Sequence, residues 1–286
     1  MRKIFITFLL VGAVCVFSCG CGTAEKQGEP RVTTTSWHEN VETTMPVYAE
    51  PSLKPWYDNN VNYMTLMVRY AARGDMDALE SAVTARNAKI IGQGLDDKLL
   101  TVQEFLDNFE RYAGFSLDTD YMAEMINCCM TGNIEAGRKA EVSRNLKLNA
   151  MGGNDPRIVF DDLYLLSKVI TSEAGCSWLP MDWKMAVGEV LLNRVDSPEF
   201  PDTIYECVYQ KGQYSGVNSS KFQNMTPFED CVEAAVRLMS GERVLNEPSA
   251  VFQSNGRQGS GVCLELYDEI MGYTYICYSS HPELYD

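Results

Sequence analysis

In the stretch LYLLSKVITSEAGCSWLP, Leu163, Leu166, Ile170 and Glu173 fall on one helical stripe, with Val169 beside it. The apolar face therefore ends on a carboxylate, at the edge of the core and at the C-terminal end of the predicted helix. A helix is predicted to continue to about Ala174, with Asp161 or Asp162 as its cap, and another over WKMAVGEVLLNRV with Asp182 as cap. In TPFEDCVEAAVRLMSG, Thr226 is the predicted N-cap, Pro227 the first helical residue, Glu229 the partner in a capping box and Gly241 the stop. The last part, AVFQSNGRQGSGVCLELYDEIMGYTYICYSS, changes to Gly, Tyr, Val and Ile and predicts two or three short strands around a glycine-rich loop.

Upstream, YMTLMVRYAARGDMDALESAVTARNAKI (Tyr63–Ile90) aligns without gaps to YMAEMINCCMTGNIEAGRKAEVSRNLKL (Tyr121–Leu148), at an offset of 58 residues. Tyr63/Tyr121, Met67/Met125, Gly74/Gly132, Arg86/Arg144 and Lys89/Lys147 are identical pairs. Each copy predicts helix, turn, helix, with Asp75 and Asn133 capping the second helix after a glycine free to turn left-handed. A further helix, TVQEFLDNFERYAG, is predicted between them. The expected organisation is an export signal at 1–18, a Thr-, Glu-, Pro- and Lys-rich tether at 19–59, a helical hairpin module at 60–150 and, after GGNDP, a second domain at 157–286. The fold class is α+β: helices first, a small sheet last.

Composition narrows the function. With 39 acidic against 24 basic residues the formal charge is −15, which repels a polyanion and excludes nucleic acid as a natural partner. The N-terminus MRKIFITFLLVGAVCVFSCGCGTAEKQ has a basic start and an apolar run from Ile4 to Phe17, too short for a membrane span. VFSC resembles a lipobox, which makes Cys19 the expected lipidation site; Cys21, or an ordinary cleavage near Ala24, is the alternative. The mature protein is then expected to be exported and held at the membrane by its N-terminal lipid, facing the wall. Seven further cysteines, from Cys128 to Cys277, have no zinc-ligand spacing, and neither metal nor cofactor is expected.

Only two histidines are present, His38 in the tether and His281 near the end, so a Ser-His-Asp or Cys-His centre must be built on His281. Chemistry that needs only carboxylates is favoured, with glycoside cleavage foremost. Glu173 suits it: partial burial and the negative end of a helix both raise a carboxyl pKa, as a general acid requires. The alternative for Glu173 is an ion pair with Lys184 or Arg194.

DLYLLSKVITSEAG, then WKMAVGEVLLNRVDSPEFPDTIYECVYQKGQYSGV, resembles the cell-wall hydrolases of the spore-cortex-lytic (SleB-like) type, over about Asp161 to Ser279. The resemblance implies a lysozyme-like catalytic domain acting on the glycan strand of peptidoglycan, with Glu173 as catalytic acid. It implies a cleft segment at Gln213, Tyr214 and Ser215 that binds the sugar. Tyr275 and Tyr278 lie on a predicted strand, from which Tyr278 is expected to reach the cleft. Asn193 and Arg194 also match and are expected to be structural, as are Trp178 and Trp183, at the core or rim. A lytic transglycosylase needs Glu173 alone; a muramidase wants a second carboxylate, for which Glu189, Glu206 and Asp268 are candidates. The competing expectation is a non-catalytic wall-binding or assembly lipoprotein, in which the helical module docks a protein partner. The tail GYTYICY, without the family's His, argues for it.

Overall fold

The computed structural model describes residues 57–214 and 216–285. The expected signal, most of the tether, Cys19 and Ser215 lie outside the described residues.

The chain begins with a helical hairpin, α1 (Tyr63–Arg73) and α2 (Met76–Gln93), followed by two short helices, α3 (Val102–Asp107) and α4 (Phe109–Ala113). A second hairpin follows, α5 (Tyr121–Thr131) and α6 (Ile134–Met151). The two hairpins make the same bonds 58 positions apart. Tyr63 Oη accepts from Asp58 N–H at 2.6 Å and Tyr121 Oη from Ser116 N–H at 2.7 Å. Lys89 Nζ donates to the carbonyls of Asn59 and Val61, and Lys147 Nζ to those of Leu117 and Thr119. Arg86 Nη1 donates to Lys98 O at 2.9 Å and Arg144 Nη1 to Pro156 O at 3.0 Å. Asp75 and Asn133 cap α2 and α6 as expected, after Gly74 and Gly132 at φ 73° and 70°. The correspondence runs on past the hairpins. Leu100 and Ile158 are both buried, and the next helix starts at Val102 in one case and at Phe160 in the other.

That next helix is α7 (Phe160–Ala174). After it come α8 (Met181–Asp196), the short α9 (Ile204–Tyr209) and α10 (Ser220–Gln223), and α11 (Glu229–Met239). Three predicted caps are not formed. Asp161 and Asp162 lie in the first turn of α7, whose N-cap residue is Val159; the Phe160 N–H is instead taken by Glu141 Oε2 of α6 at 2.8 Å. Asp161 is engaged by Arg138 of α6. α8 starts after Pro180, so Asp182 sits inside the first turn. α11 starts after Phe228, so Thr226 and Glu229 make no capping box, and Thr171 Oγ1 of α7 accepts the Phe228 N–H at 3.2 Å. In each case the acidic residue still faces the positive end of its helix, where it is favourable without a direct bond.

Met125, Cys129 and Ala140 of the second hairpin share one apolar core with Phe160, Leu163, Leu166 and Ile170 of α7 and with Val232 and Leu238 of α11. A separate core joins Leu66, Met67, Leu79 and Phe105 around the first hairpin. Hydrophobic contact thus crosses the turn at Gly152–Pro156. α7, α8 and α11 approach closely at Gly188, where a Cβ would stand 2.5 Å from Leu238 Cδ1 and 2.8 Å from Ile170 Cδ1.

Three strands, β1 (Ala250–Ser254), β2 (Val262–Asp268) and β3 (Gly272–Tyr278), form an antiparallel sheet in the order β1-β3-β2. Ala250 and Ile276 pack on Val190 of α8, and Leu266 packs toward Ala174 and Trp183. Asn193 Nδ2 donates to Glu247 O at 2.9 Å and Ala250 O at 3.0 Å, which fastens the entry to β1 onto α8. The α+β class holds: the chain is rich in helix and ends in one small sheet.

Candidate active site

Glu173 is the penultimate residue of α7. Leu163, Leu166 and Ile170 on its stripe are fully buried, while Glu173 itself stays accessible to solvent. It nevertheless has protein on most sides. Burial pushes its carboxyl above the usual range, and the Arg194 charge opposes this without reversing it. The carboxyl is thus open to solvent and yet partly desolvated by its surroundings. Among the described residues it makes no salt bridge and accepts no hydrogen bond, so the expected alternative pairing with Lys184 is not formed.

The loop after Glu173 is held from below. Gly175 is required there: a Cβ would lie 2.2 Å from Thr171 O. Lys184, 1% exposed at its side chain, donates to Cys176 O at 2.9 Å, Leu179 O at 3.3 Å and Asp230 Oδ2 at 2.7 Å. One buried ammonium thus ties the loop to α11. Trp183 is core, as expected, whereas Trp178 is 54% exposed.

Arg194 carries more than its expected structural role. Nε donates to Val251 O at 2.6 Å, which anchors β1. The guanidinium lies 5.3 Å from the ring centroids of both Phe200 and Tyr214. Buried and without a carboxylate within salt-bridge range among the described residues, it is held by ring faces and a carbonyl. Its charge acts on Glu173, Tyr214 and Cys207. Burial raises the Tyr214 phenol; Arg194 opposes this, and the neighbouring Glu173 adds to the rise. Glu173, Arg194 and Tyr214 therefore form one electrostatic group, built from α7, α8 and the segment after α9. Gln213, next to Tyr214, is half-buried in the turn closed by its own N–H on Gln210 O at 3.2 Å.

Tyr278 stands apart. The groups acting on its phenol are Cys263 and Glu247, not Glu173. The candidate second carboxylates are engaged elsewhere. Glu189, 1% exposed, accepts the N–H groups of Val244 at 2.7 Å, Leu245 at 2.9 Å and Asn246 at 3.0 Å. Glu206 bonds Thr203 at the start of α9, and Asp268 holds the β2–β3 turn through the N–H groups of Ile270 and Met271. His281 is a surface residue 3.3 Å from Glu283. The seven cysteines are free thiols, and burial pushes Cys129 to about 12 and Cys207 and Cys231 to about 11. Among the described residues no cluster of three or more His, Cys, Asp or Glu side chains is placed to hold a metal ion.

Comparison with known proteins returns one match. A protein-family model described as Cell Wall Hydrolase covers residues 180–259. No curated protein and no solved structure matches the chain. The matched region contains Lys184, Arg194, Tyr214 and β1, and it begins seven residues after Glu173. The SleB-like resemblance of the sequence is thereby borne out over Pro180 to Gly259, where the chain is similar to the cell wall hydrolases.

Proposed function

We propose that this protein cleaves the glycan strand of peptidoglycan and that Glu173 is its catalytic acid. The observation that carries the reading is the state of Glu173: a carboxyl open to solvent, raised by burial, free of hydrogen bonds among the described residues and seven residues before a segment similar to the cell wall hydrolases. Protonated Glu173 gives its proton to the glycosidic oxygen as the bond from that oxygen to the anomeric carbon of N-acetylmuramic acid breaks. The resulting carboxylate then accepts the proton of the muramic C6 hydroxyl while that oxygen bonds the same anomeric carbon. The product is a 1,6-anhydro ring, and Glu173 is protonated again. No second carboxylate is needed, and the employment of Glu189 on three backbone amides supports the single-carboxylate route. Arg194 favours the carboxylate formed midway. Gln213 and Tyr214 hold the sugar, with Ser215 beside them.

A lysozyme-like arrangement, helix-end glutamate beside a small antiparallel sheet, fits this chemistry. We read the hairpins as two copies of one unit whose third helix is α3 in the first copy and α7 in the second. We place the protein outside the cell, held to the membrane by lipid on Cys19. Incubating the mature chain with purified sacculi tests the reaction. Anhydro-muropeptides in the supernatant are expected, and reducing ends in their place indicate attack by water instead. Release of peptides with intact glycan strands refutes it. Mass spectrometry of the mature N-terminus tests the anchor, which an unmodified chain starting near Glu25 rules out.

A further inference from the structure

Side chains alternate across a strand. Leu264, Leu266 and Ile276 turn toward the helices, which leaves Tyr267, Tyr273 and Tyr275 on the opposite face of the sheet. Tyr267 and Tyr273 are 60% and 47% exposed. Their ring centroids are 4.8 Å apart, and Tyr273 and Tyr275 follow at 5.8 Å with planes only 11° apart. Arg257, from the glycine-rich loop, lies 5.5 Å from the Tyr275 centroid and 3.5 Å from Glu265, which pairs with Tyr275 across the strands. The three rings form a continuous patch, Tyr267 and Tyr273 side by side across the strands and Tyr275 next along β3, with a guanidinium and a carboxylate beside Tyr275.

The hairpin tip, beside Tyr267 and Tyr273, lies against the loop after Glu173. Asp268, next to Tyr267, is bonded by the Met271 and Ile270 N–H groups and by the Trp178 side chain, so its carboxyl is held below the usual range. Cys176 Sγ also meets Met271 Sδ at 3.9 Å. The loop that follows Glu173 thus meets the tip of the β2–β3 hairpin, the end of the sheet that carries Tyr267 and Tyr273.

We propose that Tyr267, Tyr273 and Tyr275 form an accessory glycan-binding strip that holds the peptidoglycan strand beyond the cleft. The proposal rests on the glycan-strand reading above. A pyranose ring presents a face of C–H groups that stacks on an aromatic face and a rim of hydroxyls that seeks polar partners. Phenols supply both, as an apolar ring with a hydroxyl at its tip. The Arg257–Glu265 pair adds donors and acceptors beside Tyr275. The occupant is therefore a polymer of N-acetylated sugars, whose next residues lie along the sheet while one bond is held at Glu173.

The test uses the full mature chain carrying Glu173→Gln, so that binding is read without turnover and independently of whether Glu173 cleaves. In that background Tyr267, Tyr273 and Tyr275 are replaced together by Thr, which retains strand propensity, or together by Phe; Tyr273→Thr is also made alone. Co-sedimentation is measured with intact sacculi and with glycan strands stripped of their stem peptides. The triple Thr variant is expected to bind both roughly tenfold more weakly, the loss of one good stacking contact or more. The single variant is expected to lie between it and the parent, and the Phe variant near the parent. Parental binding by a folded Thr variant, or by Tyr273→Thr if the triple does not fold, overturns the strip. So does a loss seen only on peptide-bearing sacculi, which points to peptide as the occupant.

Discussion

Replacing Lys184 by Met tests how the loop after Glu173 is held. The side chain keeps its length and its apolar stem but loses the charge and three donated bonds, to Cys176 O, Leu179 O and Asp230 Oδ2. Breaking a fully buried ion pair from one side costs about 3–5 kcal/mol. Two features of this pair reduce that figure. Asp230 is 38% exposed and can hydrate once its partner is gone, and methionine no longer carries the desolvation of a buried ammonium. Against this, two part-buried carbonyls lose a donor, at about 1 kcal/mol each. The net expectation is a loss of about 2–3 kcal/mol. A chain of this size drops by about 2–4 °C per kcal/mol, so Tm falls by about 4–12 °C. The pH dependence gives a sharper signature. Burial pushes the Asp230 carboxyl up, but the Lys184 bond and charge outweigh it, and the folded pKa is depressed. A depressed carboxyl stabilises the fold above its unfolded pKa, about 3.9, and that contribution disappears as pH falls through the folded value. The gap between parent and Lys184→Met should therefore be widest at pH 7 and narrow in acid, to the part that comes from the two carbonyls. Urea melts across that range measure the difference. Equal midpoints at pH 7, or a gap that persists unchanged to pH 3, refute the reasoning.

Glu173→Gln should lower turnover on sacculi by about 10²–10⁴-fold, the range for loss of a general acid. Because burial raises the folded pKa of Glu173, its ionisation opposes folding above the unfolded pKa of about 4.3. The Gln variant should thus be at least as stable as the parent at pH 7, with any advantage vanishing in acid; denaturant melts at both pH values decide. Arg194→Gln removes the charge that holds Glu173 down, so the basic limb of the pH–rate profile should move to higher pH, and an unmoved limb separates Arg194 from the acid. Glu189→Ala leaves three backbone N–H groups without their acceptor and should cost about 2–4 kcal/mol by urea melt. Gly188→Ala should destabilise by about 1–3 kcal/mol through overpacking against Leu238 and Ile170, a larger effect than the roughly 1 kcal/mol gained in helix propensity.

What could be read from the sequence is what short-range pattern encodes. The stripe through Leu163, Leu166 and Ile170 marks a buried helix face, and the caps at Asp75 and Asn133 follow a glycine turn that declares itself locally. The composition change after residue 249 marks the strands. What escaped depends on partners far along the chain. α7 is capped by Glu141, 19 positions earlier, because α6 lies across its start; the adjacent aspartates cannot reveal that. Glu189 looks like an exposed helix carboxylate until the loop at Val244–Asn246, more than 50 positions later, folds onto it. The surroundings of Arg194 are hidden for the same reason: its carbonyl partner is 57 positions away, and its ring partners are Phe200 and Tyr214.

The position of α7 explains why an acid can be kept raised at its end. Its N-terminus is fixed by Glu141 and Arg138 of α6, and its middle shares a core with Met125, Cys129 and Ala140. Its C-terminus is bounded by the Lys184-tethered loop and by Leu266 of the sheet, which meets Ala174. A partly desolvated, unbonded carboxyl opposes stability, and it persists only where its neighbours are too well fixed to swing in and neutralise it. Lys184 is one such cation. Its three bonds point it at the loop backbone and Asp230, and so keep the ammonium away from Glu173. Arg194, spread against two rings and tied to Val251, lowers the carboxyl's pKa without forming a direct ion pair. The second hairpin and the matched hydrolase segment thus brace the helix from opposite sides. Loosening either brace should let a cation reach Glu173 and lower its pKa before the fold is lost.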